Sequence, residues 1–429
     1  DNVAIAYPNV TAPVLNPYFI NTDDACEYMF IVYRYTGESS KSRAELLVLN
    51  EQGQQVLNIK PEADSSESLS RVWTGNQLTD PVIVTVYTTP DDQQRAEVYN
   101  LPLTRFEAGG TGTPDDPYLI STAGDLQQVT REPAASYRVA CPIDAARLTL
   151  NAGSTVFTGS FDGNNQTISN LHLAGEHCSL LGTLTGTEPS GEGAEVEPMV
   201  RNLVLVNPVM EPKGYASAGL LASSASQHVY IDQVHVFGLK AQADSKQFTG
   251  AFGSLVGDVS VFSRLTRCSV NDALVSLPDA SPVGGLVSSL RTSSSVKGSL
   301  FTGSLTALEK VGGISGECYE SGTTTECGVQ QCHVQAGLTA VHTLGGVVGA
   351  DNHTNISNNY VEGSLTATGG DSWNGACVGG VIGSLSWKQG EGKSVKGNVV
   401  NLEAIHFDPD LERPNWASAV SFETAHRIV

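Results

Sequence analysis

Charged residues, methionine and long apolar runs are all scarce in this chain of 429 residues. Charged side chains make up 16% of the sequence, and only three residues are methionine. No stretch approaches the eighteen or so consecutive apolar residues that a transmembrane helix needs, so we predict no membrane span. We expect any lipid anchor to lie outside the observed chain. Eight cysteines are too few at this length for a disulfide-built fold.

Basic residues are also scarce, because 24 lysines and arginines stand against 45 acidic residues and give a net charge of -21. This balance argues against nucleic acid or an anionic membrane as a partner. It leaves calcium binding open, and no other cofactor is indicated. The chain begins at Asp1 without a charged and apolar leader, which predicts that any export signal has been removed or left out of this sequence.

Motifs for catalysis and metal binding are missing as well. There is no Gly-x-Ser-x-Gly elbow, phosphate-binding loop or His-Glu-x-x-His helix. Asp232 is predicted to face Asn202 and Arg267 in the neighbouring repeats, so no second carboxylate completes an acid–base pair. Three further acids are expected in turns, at different positions within the repeat, namely Asp258, Asp272 and Asp279. We predict no catalytic residue.

Metal ligands are also unconvincing, although two cysteines and two histidines lie close in sequence: Cys327, Cys332, His333 and His342. Neighbouring residues on a strand face opposite ways, so Cys332 and His333 cannot converge on one zinc ion. We predict no metal site. Cys318 and Cys327 bracket one loop and could bridge it in an oxidising compartment.

What the sequence does contain is a repeated four-residue phrase that begins with an apolar residue. Its first residues are 27 to 39 positions apart, a spacing typical of stacked supersecondary units. They are Ile168, Val200, Ile231, Leu265, Val296, Val329, Ile356 and Val395.

A second phrase, glycine followed by two aliphatic residues, lies between successive copies of the first. Its first aliphatic residues are Leu180, Leu220, Leu255, Leu286, Ile314, Val347 and Val381. A weaker third strand fits segments such as 303–307 and 363–367. Glycine pairs such as Gly284-Gly285 suit tight corners, because glycine adopts positive φ at little steric cost. Abundant Gly, Ser and Thr with β-branched residues at the apolar positions favour strands over helices.

Residues 1–105 lack the repeat and show the pattern of antiparallel strands. Six are predicted, at Tyr28–Tyr35, Ala44–Leu49, Gln55–Ile59, Leu69–Trp73, Val82–Thr88 and Ala96–Leu101. We interpret them as an immunoglobulin-like β-sandwich. Residues 106–160 form the cap and junction, in which a short helix over Asp125 to Val129 is predicted to cover the first coil.

Three motifs in residues 106–429 are characteristic. They are a Gly-Gly-x-Gly-Thr-x-x-x-Pro-Tyr-x-Ile segment from Gly109, the stretch Phe161-Asp162-Gly163-Asn164, and Gly-Gly-aliphatic-aliphatic-Gly from Gly345 and from Gly379. With these motifs the chain resembles the GLUG-motif repeat proteins of bacterial cell surfaces. The resemblance implies a right-handed parallel β-helix of the pectate-lyase-like type, on an exported protein that is lipid-anchored or secreted, with adhesion-like roles.

The predicted fold class is therefore all-β: an N-terminal β-sandwich, then a right-handed single-stranded parallel β-helix of eight or nine coils with an N-terminal cap. Its interior is expected to contain Cys268 and Cys332 as small buried residues. Asn359 and Asn398 are expected to form an amide ladder along the axis.

Candidate binding residues are aromatic. Trp373, Trp387, Tyr360 and Tyr319 belong to nearby late coils and would offer a platform for a sugar ring or a peptide. Alternatively, the two tryptophans cover the open end of the solenoid. The sequence favours a non-enzymatic, adhesin-like surface protein that binds a glycan or an extracellular protein. Two alternatives stay open, a polysaccharide lyase or glycosidase, and an accessory subunit of a nutrient-uptake or filament assembly.

Overall fold

The computed structural model describes residues 30–36, 43–49, 55–59, 68–73, 82–87, 96–97, 109–146, 149–188, 197–320, 327–369, 377–385, 395–407 and 416–418. The chain divides into two compact units. One comprises Asp1–Thr111 and Tyr118–Gln128, and the other Gly112–Pro117 and Val129–Val429. No helix in the described ranges has the length and apolarity needed to cross a membrane.

The first unit contains two antiparallel three-stranded sheets. Its strands are β1 (Phe30–Thr36), β2 (Arg43–Leu49), β3 (Gln55–Ile59), β4 (Ser68–Trp73), β5 (Val82–Tyr87) and β6 (Ala96–Glu97). One sheet has the order β1-β2-β3 and the other β4-β5-β6, so each strand pairs with its neighbour in sequence. The six predicted strands are confirmed. Their assembly into an immunoglobulin-like sandwich stays a prediction, as does the domain boundary after residue 105.

A short strand and a short helix complete the described part of this unit, β7 (Tyr118–Ile120) and α1 (Ala123–Gln128). Thr122 caps the helix, because its Oγ1 accepts a hydrogen bond from Asp125 N at 3.2 Å. Asp125 Oδ2 in turn accepts from Thr122 N at 2.8 Å, a reciprocal pair that satisfies two helix-end donors. A helix near the predicted position is thus present, and its role as a cap stays a prediction.

The second unit is a succession of short strands. They are β8 (Ser136–Val139), β9 (Ile143–Asp144), β10 (Thr149–Leu150), β11 (Val156–Phe157), β12 (Ser160–Asp162), β13 (Thr167–Ser169), β14 (His172–Gly175), β15 (Thr183–Thr185), β16 (Val200–Val206), β17 (Val209–Pro212), β18 (Ala218–Gly219), β19 (Ala222–Ser226), β20 (Tyr230–Phe237), β21 (Lys240–Gln242), β22 (Phe252–Gly253), β23 (Val256–Val259), β24 (Arg264–Thr266), β25 (Ser269–Leu277), β26 (Val283–Gly284), β27 (Val287–Arg291), β28 (Ser295–Lys297), β29 (Leu300–Ala307), β30 (Val311–Gly312), β31 (Ser315–Tyr319), β32 (Gly328–Gln330), β33 (His333–Ala340), β34 (Thr343–Gly345), β35 (Val348–Asn352), β36 (Asn355–Ser357), β37 (Tyr360–Ala367), β38 (Cys377–Gly379), β39 (Ile382–Leu385), β40 (Val395–Lys396), β41 (Val399–Phe407) and β42 (Trp416–Ser418).

Three parallel sheets run along this unit. Sheet one holds the phrase strands and the strands that follow them, from β8 to β41; sheet two is β18-β22-β26-β30-β34-β38-β42; and sheet three is β11-β15-β19-β23-β27-β31-β35-β39. In the full coils the chain visits sheet one, then sheet two, then sheet three, before it pairs with itself one coil later. This arrangement is a parallel β-helix, as predicted.

The phrase leaders stack in one column, which explains their spacing in the sequence. Paired residues from coil to coil are Tyr137, Phe161, Val200, Ile231, Leu265, Val296, Val329, Ile356 and Val395. All but Val395 are buried. Burial of one such side chain contributes about 1.5 to 3 kcal/mol, so the column is a major source of stability. The nine positions agree with the predicted eight or nine coils.

The first predicted phrase leader was wrong. Ile168 pairs with Ile143 and Leu205, and it is Phe161 that stacks beneath Val200. The reason is that each coil has two corners at which a residue adopts left-handed φ. The same four-residue sequence pattern therefore occurs at both corners, and at Ile168 we assigned it to the wrong one. Asn202, with φ 51°, marks the first corner, and Asn170, with φ 56°, marks the second.

The third residue of the phrase adopts positive φ at every copy, between 51° and 66°. These residues are Asn170, Asn202, Gln233, Arg267, Gly298, Gln331, Asn358 and Gly397. Asn and Gly tolerate the left-handed region better than other residues, which accounts for the presence of Asn or Gly at this position in four of the seven later copies. From the Leu265 copy onward the bend separates the short phrase strand from the longer strand after it, whereas β16 and β20 continue through it.

The glycine phrase forms a second buried column through backbone hydrogen bonds. Leu255 N donates to Leu286 O at 2.9 Å, Leu286 N to Ile314 O at 3.0 Å, and the same bond recurs at later coils. The glycine pairs before it do not have positive φ, so our explanation for them was wrong. A Cβ on Gly284 or Gly312 would collide with the carbonyl oxygen three residues later. Close backbone approach at the corner, not backbone freedom, requires glycine there.

The last residue of the phrase changes from apolar to polar along the axis. Val234, Cys268 and Cys332 are buried, as predicted. In the late coils Asn359 Nδ2 donates to Asn398 Oδ1 at 2.9 Å and to Val329 O at 3.1 Å. The predicted amide ladder is therefore confirmed, and it satisfies backbone groups that the bend leaves unpaired.

Candidate functional site

The outward column of sheet three changes chemistry from coil to coil. Its residues lie three positions after the leader of each glycine phrase: Asp258, Ser289, Glu317, Ala350 and Ser384. In the earlier coils the column is filled, because Asp258 accepts hydrogen bonds from Ser217 Oγ at 2.7 Å and from Ser289 Oγ. Small side chains at Ala350 and Ser384 instead leave an open floor in the later coils.

A groove of about 460 Å³ lies over this open floor. Its lining includes Arg291, Lys310, Glu317, Tyr319, Asn352 and Ser384. The volume falls in the range typical of small-molecule sites, about 300 to 1,000 Å³. The groove is open, and its lining combines polar and apolar surface, unlike the apolar interior below it.

Glu317 is fixed at the centre of the groove by two cations. Arg291 Nη2 donates to Glu317 Oε1 at 2.8 Å, and Lys310 Nζ donates to Glu317 Oε2 at 2.8 Å. The Glu317 side chain is only 19% exposed, whereas both cations are more accessible. Each carboxylate oxygen keeps a second lone pair, so Glu317 can accept one further hydrogen bond per oxygen.

Lys310 reaches this position from a turn between sheets one and two. Its φ is 51°, and its backbone packs so closely on the next strands that a Cβ at Gly316 or Gly349 would collide with it. The two glycines therefore let the turn lie against sheet three. This packing holds the ammonium group beside Glu317.

The wall of the groove is a second outward column, Arg291, Tyr319 and Asn352. Tyr319 ends its strand and is 46% exposed. Such an aromatic ring offers an apolar surface next to fixed polar groups. Asn352 Oδ1 lies 2.6 Å from His353 Nδ1, which orients the Asn352 amide.

Cys318 lies beneath the groove and is buried together with Asp351, which accepts a hydrogen bond from Thr354 Oγ1. Burial raises the pKa of the Cys318 thiol well above its usual range, and the nearby Asp351 carboxylate raises it further. Cys318 and Cys327 are both buried. Their predicted bridge stays a prediction, since loop 321–326 lies outside the described residues.

The predicted aromatic residues do not all fall on one surface. Trp373 and Trp387 lie outside the described residues. Tyr360 is on the outer face of sheet one, where its ring packs 5.0 Å from that of His333 and its hydroxyl lies 3.3 Å from Glu362 Oε2. Tyr319 is on sheet three, so the two tyrosines belong to different faces.

Arg291, Lys310 and Glu317 were missed by the sequence analysis. A usable signal exists for two of them, because Arg291 and Tyr319 both lie five residues after a glycine-phrase leader, and Glu317 lies three after Ile314. Side chains alternate along a strand, so counting from each leader would have placed Arg291, Tyr319 and Glu317 on one face. Lys310 carries no such signal, since it lies in a turn.

The acids considered for catalysis are held by other groups. Asp232 pairs in register with Arg201 and Thr266 rather than with Asn202, and it binds the Arg267 guanidinium. Burial raises the pKa of Asp232, but hydrogen bonds from Arg267, Thr266 and Gln233 outweigh it, so the net shift is downward.

The expected turn positions were wrong for two of the other acids. Asp258 lies in β23 and Asp272 in β25, because the strands extend past the residues that we took as turns. Asp279 is in a turn as expected, where its carboxylate accepts from Lys246 N at 2.6 Å and Ser245 Oγ at 2.9 Å.

A serine–histidine contact occurs on the outer face of sheet one. Ser269 Oγ lies 2.9 Å from His235 Nδ1, and Asn271 Nδ2 donates to the same oxygen at 2.9 Å. Burial lowers the pKa of His235, although the Asp232 charge partly opposes the shift. The hydrogen bonds of the Asp232 carboxylate go to Thr266, Arg267 and Gln233, so it does not orient His235 as a triad acid would.

Metal-ligating residues do not converge in the described part of the chain, where no group of three His, Cys, Asp or Glu side chains could hold an ion. Cys332 faces the interior, whereas His333 lies outward with its Nε2 3.0 Å from Glu362 Oε1. The two therefore lie on opposite faces of the strand, as predicted.

Comparison with known proteins gives limited similarity. No protein family matches the chain. The chain is 34% identical to halomucin of Haloquadratum walsbyi over 135 residues, which is 29% of this chain and 1% of halomucin. It is similar to a crystal structure of a proposed immunoglobulin A1 protease from Bacteroides ovatus, with TM-score 0.46 and 15% identity over 73% of this chain and 91% of the other. A second immunoglobulin A1 protease structure gives TM-score 0.37 and 10% identity over 97% of this chain and 31% of the other.

Proposed function

We propose that this chain is a non-enzymatic binding segment of a bacterial cell-surface protein of the GLUG-motif type, in which the β-helix presents residues to a glycan or an extracellular protein. The observation that carries the proposal is the groove on sheet three, where an exposed Tyr319 stands beside a Glu317 carboxylate fixed by two cations. Preorganised polar groups next to an aromatic ring suit binding.

Three further observations support a surface-binding role. The partners of Asp232, Asp258 and Glu317 are cations, hydroxyls or an amide rather than a second carboxylate, which suits recognition better than acid–base cleavage. The match to a protein named as a mucin agrees with an exported location. The strongly negative charge agrees with partners other than nucleic acid.

An array of glycans and extracellular-matrix proteins tests this proposal. We expect the chain to bind at least one class of ligand and to release no product from acidic polysaccharides incubated with it. Trp373→Ala and Trp387→Ala test the predicted aromatic platform, with Phe262→Ala as an exposed aromatic control. Shortened polysaccharide chains would instead favour the lyase or glycosidase alternative.

A hydrolase is the second candidate, and the contact between Ser269 and His235 favours it. A neutral imidazole 2.9 Å from a hydroxyl can act as a general base. Ester and peptide substrates with Ser269→Ala as the test variant decide the matter. Turnover that disappears in this variant would make the chain an enzyme, and equal background in both proteins would remove this candidate.

A further inference from the structure

We propose that the groove on sheet three binds a neutral pyranose ring through vicinal hydroxyls, with the ring's C–H face against Tyr319. This inference rests on the proposed binding function and names its ligand class. No step of catalysis is involved, since the groove supplies contacts and no proton transfer.

The first argument is the shape of the groove. Its floor is formed by small side chains at Ala350 and Ser384, and one side by the column of Arg291, Tyr319 and Asn352. A pyranose ring entering over this floor meets the aromatic ring on one side and polar groups such as Glu317 and Ser384 below. A volume of about 460 Å³ accommodates a small sugar.

The second argument is the alternation of donors and acceptors. Arg291 and Lys310 only donate, Glu317 only accepts, and Asn352 and Ser384 do both. Vicinal hydroxyls each donate and accept, so a diol can donate to Glu317 while it accepts from a neighbouring cation. The two 2.8 Å ion pairs hold Glu317 in place before the ligand arrives, which lowers the entropy lost on binding.

The third argument, from charge, selects a neutral sugar over an acidic one. The cations Arg291 and Lys310 are balanced by the carboxylates of Glu317 and the buried Asp351. A uronate would have to displace Glu317 from its cations and would be repelled by it. A neutral ring needs no such exchange.

Titration calorimetry with the full chain provides the test. The probes are neutral oligosaccharides built from glucose, galactose, mannose or N-acetylglucosamine, and uronate oligomers of equal length. We expect binding of a neutral sugar, weakened about tenfold or more by Tyr319→Ala and about fivefold by Glu317→Gln. Tyr319→Phe should stay within about twofold, because it keeps the aromatic ring.

Matched controls separate a lost site from a lost fold. Tyr215→Ala removes a tyrosine that is 83% exposed elsewhere, and Glu211→Gln removes a half-exposed carboxylate on sheet one; both should bind like the parent chain. Circular dichroism and thermal unfolding of each variant check the fold. Glu317→Gln, which keeps the size of the side chain and is expected to weaken binding, keeps the test informative if Tyr319→Ala unfolds.

The outcomes separate the groove from the proposed function. Neutral-sugar binding that survives in Tyr319→Ala and Glu317→Gln overturns the assignment of the groove as the sugar site and leaves the proposed surface-binding function intact. Binding of uronates alone overturns the neutral assignment. A chain that binds matrix proteins but no sugar contradicts this inference only, whereas a chain that binds neither on the arrays contradicts the proposed function as well.

Discussion

The inner and outer columns of sheet one obey different rules although they alternate along the same strands. The inner column, which includes Phe161, Val200 and Ile231, is apolar in coil after coil. The outer column, one residue later, runs Asp162, Arg201, Asp232, Thr266 and Lys297. Stacking demands apolar side chains only inside, so the outer positions of sheet one are free to carry charge and ion pairs, just as those of sheet three are free to line a groove. Substitutions on the two faces should therefore differ in kind as well as in size.

The largest effect should come from the glycine corners. Gly312→Ala places a Cβ against the carbonyl oxygen of Ser315, and the backbone must shift to relieve the collision. We expect a loss of about 3 kcal/mol or more in the free energy of unfolding, measured in urea. Gly337→Ala is the control, because the nearest atom to its Cβ would be Ser364 Oγ at 3.6 Å, and it should be close to neutral. Equal stability of both variants would contradict the close-approach explanation.

The polar part of the interior should come next. Asn359→Leu keeps the volume but removes the acceptor for Cys332 N, at 2.9 Å, and the donors to Val329 O and Asn398 Oδ1. We expect a loss of about 2 to 3 kcal/mol, because buried backbone groups are left without partners. Gln335→Ala, on the exposed side of β33 in the preceding coil, should change stability by less than about 0.5 kcal/mol. A neutral Asn359→Leu would show that the ladder does not stabilise the coil.

The outer ion pairs should contribute less, and only above a certain pH. Asp232→Asn weakens the bonds to Arg267 and Thr266 and should cost about 1 to 2 kcal/mol at pH 7. Because the folded-state pKa of Asp232 is lowered, its contribution is present above the ordinary pKa of about 3.9 and is lost as pH falls through the lowered value. The difference between parent and variant should therefore shrink below about pH 4.

Denaturant titrations at several pH values measure this difference. Asp272→Asn is the charge-matched control, since Asp272 is exposed. It should show little difference from the parent chain at any pH. A gap between Asp232→Asn and the parent that stays constant down to pH 2 would rule out the carboxylate charge as its cause.

The smallest effect, and the one of opposite sign, should come from the corner between sheets three and one. Val261 has φ 50°, which is unfavourable for a β-branched residue. Val261→Asn should raise the melting temperature, equivalent to about 1 kcal/mol of added stability. Val156→Asn, at an exposed strand position, should give no gain. A destabilised Val261→Asn would mean that the valine packing outweighs its backbone strain.

Much of the fold could be predicted because periodicity is a local signal. Seven of the eight phrase leaders form one column, the six N-terminal strands are present, and Asn359 meets Asn398 as expected. Ile168 was misplaced because two corners of a coil share one local conformation. The close approach at Gly312 could not be seen either, because the colliding oxygen is identified only when the corner is folded.

The sequence alone determined that the chain winds into coils, since only residues in register can keep Val, Leu and Ile at a common spacing over many repeats. Which outward side chains meet was decided by the tertiary structure. Arg291, Lys310 and Glu317 come from two successive strands and an intervening turn, and their meeting depends on how the turn at Lys310 packs on Gly316 and Gly349. Burial of the inner column stabilises every coil alike, whereas the outer contacts depend on the size and placement of each neighbour.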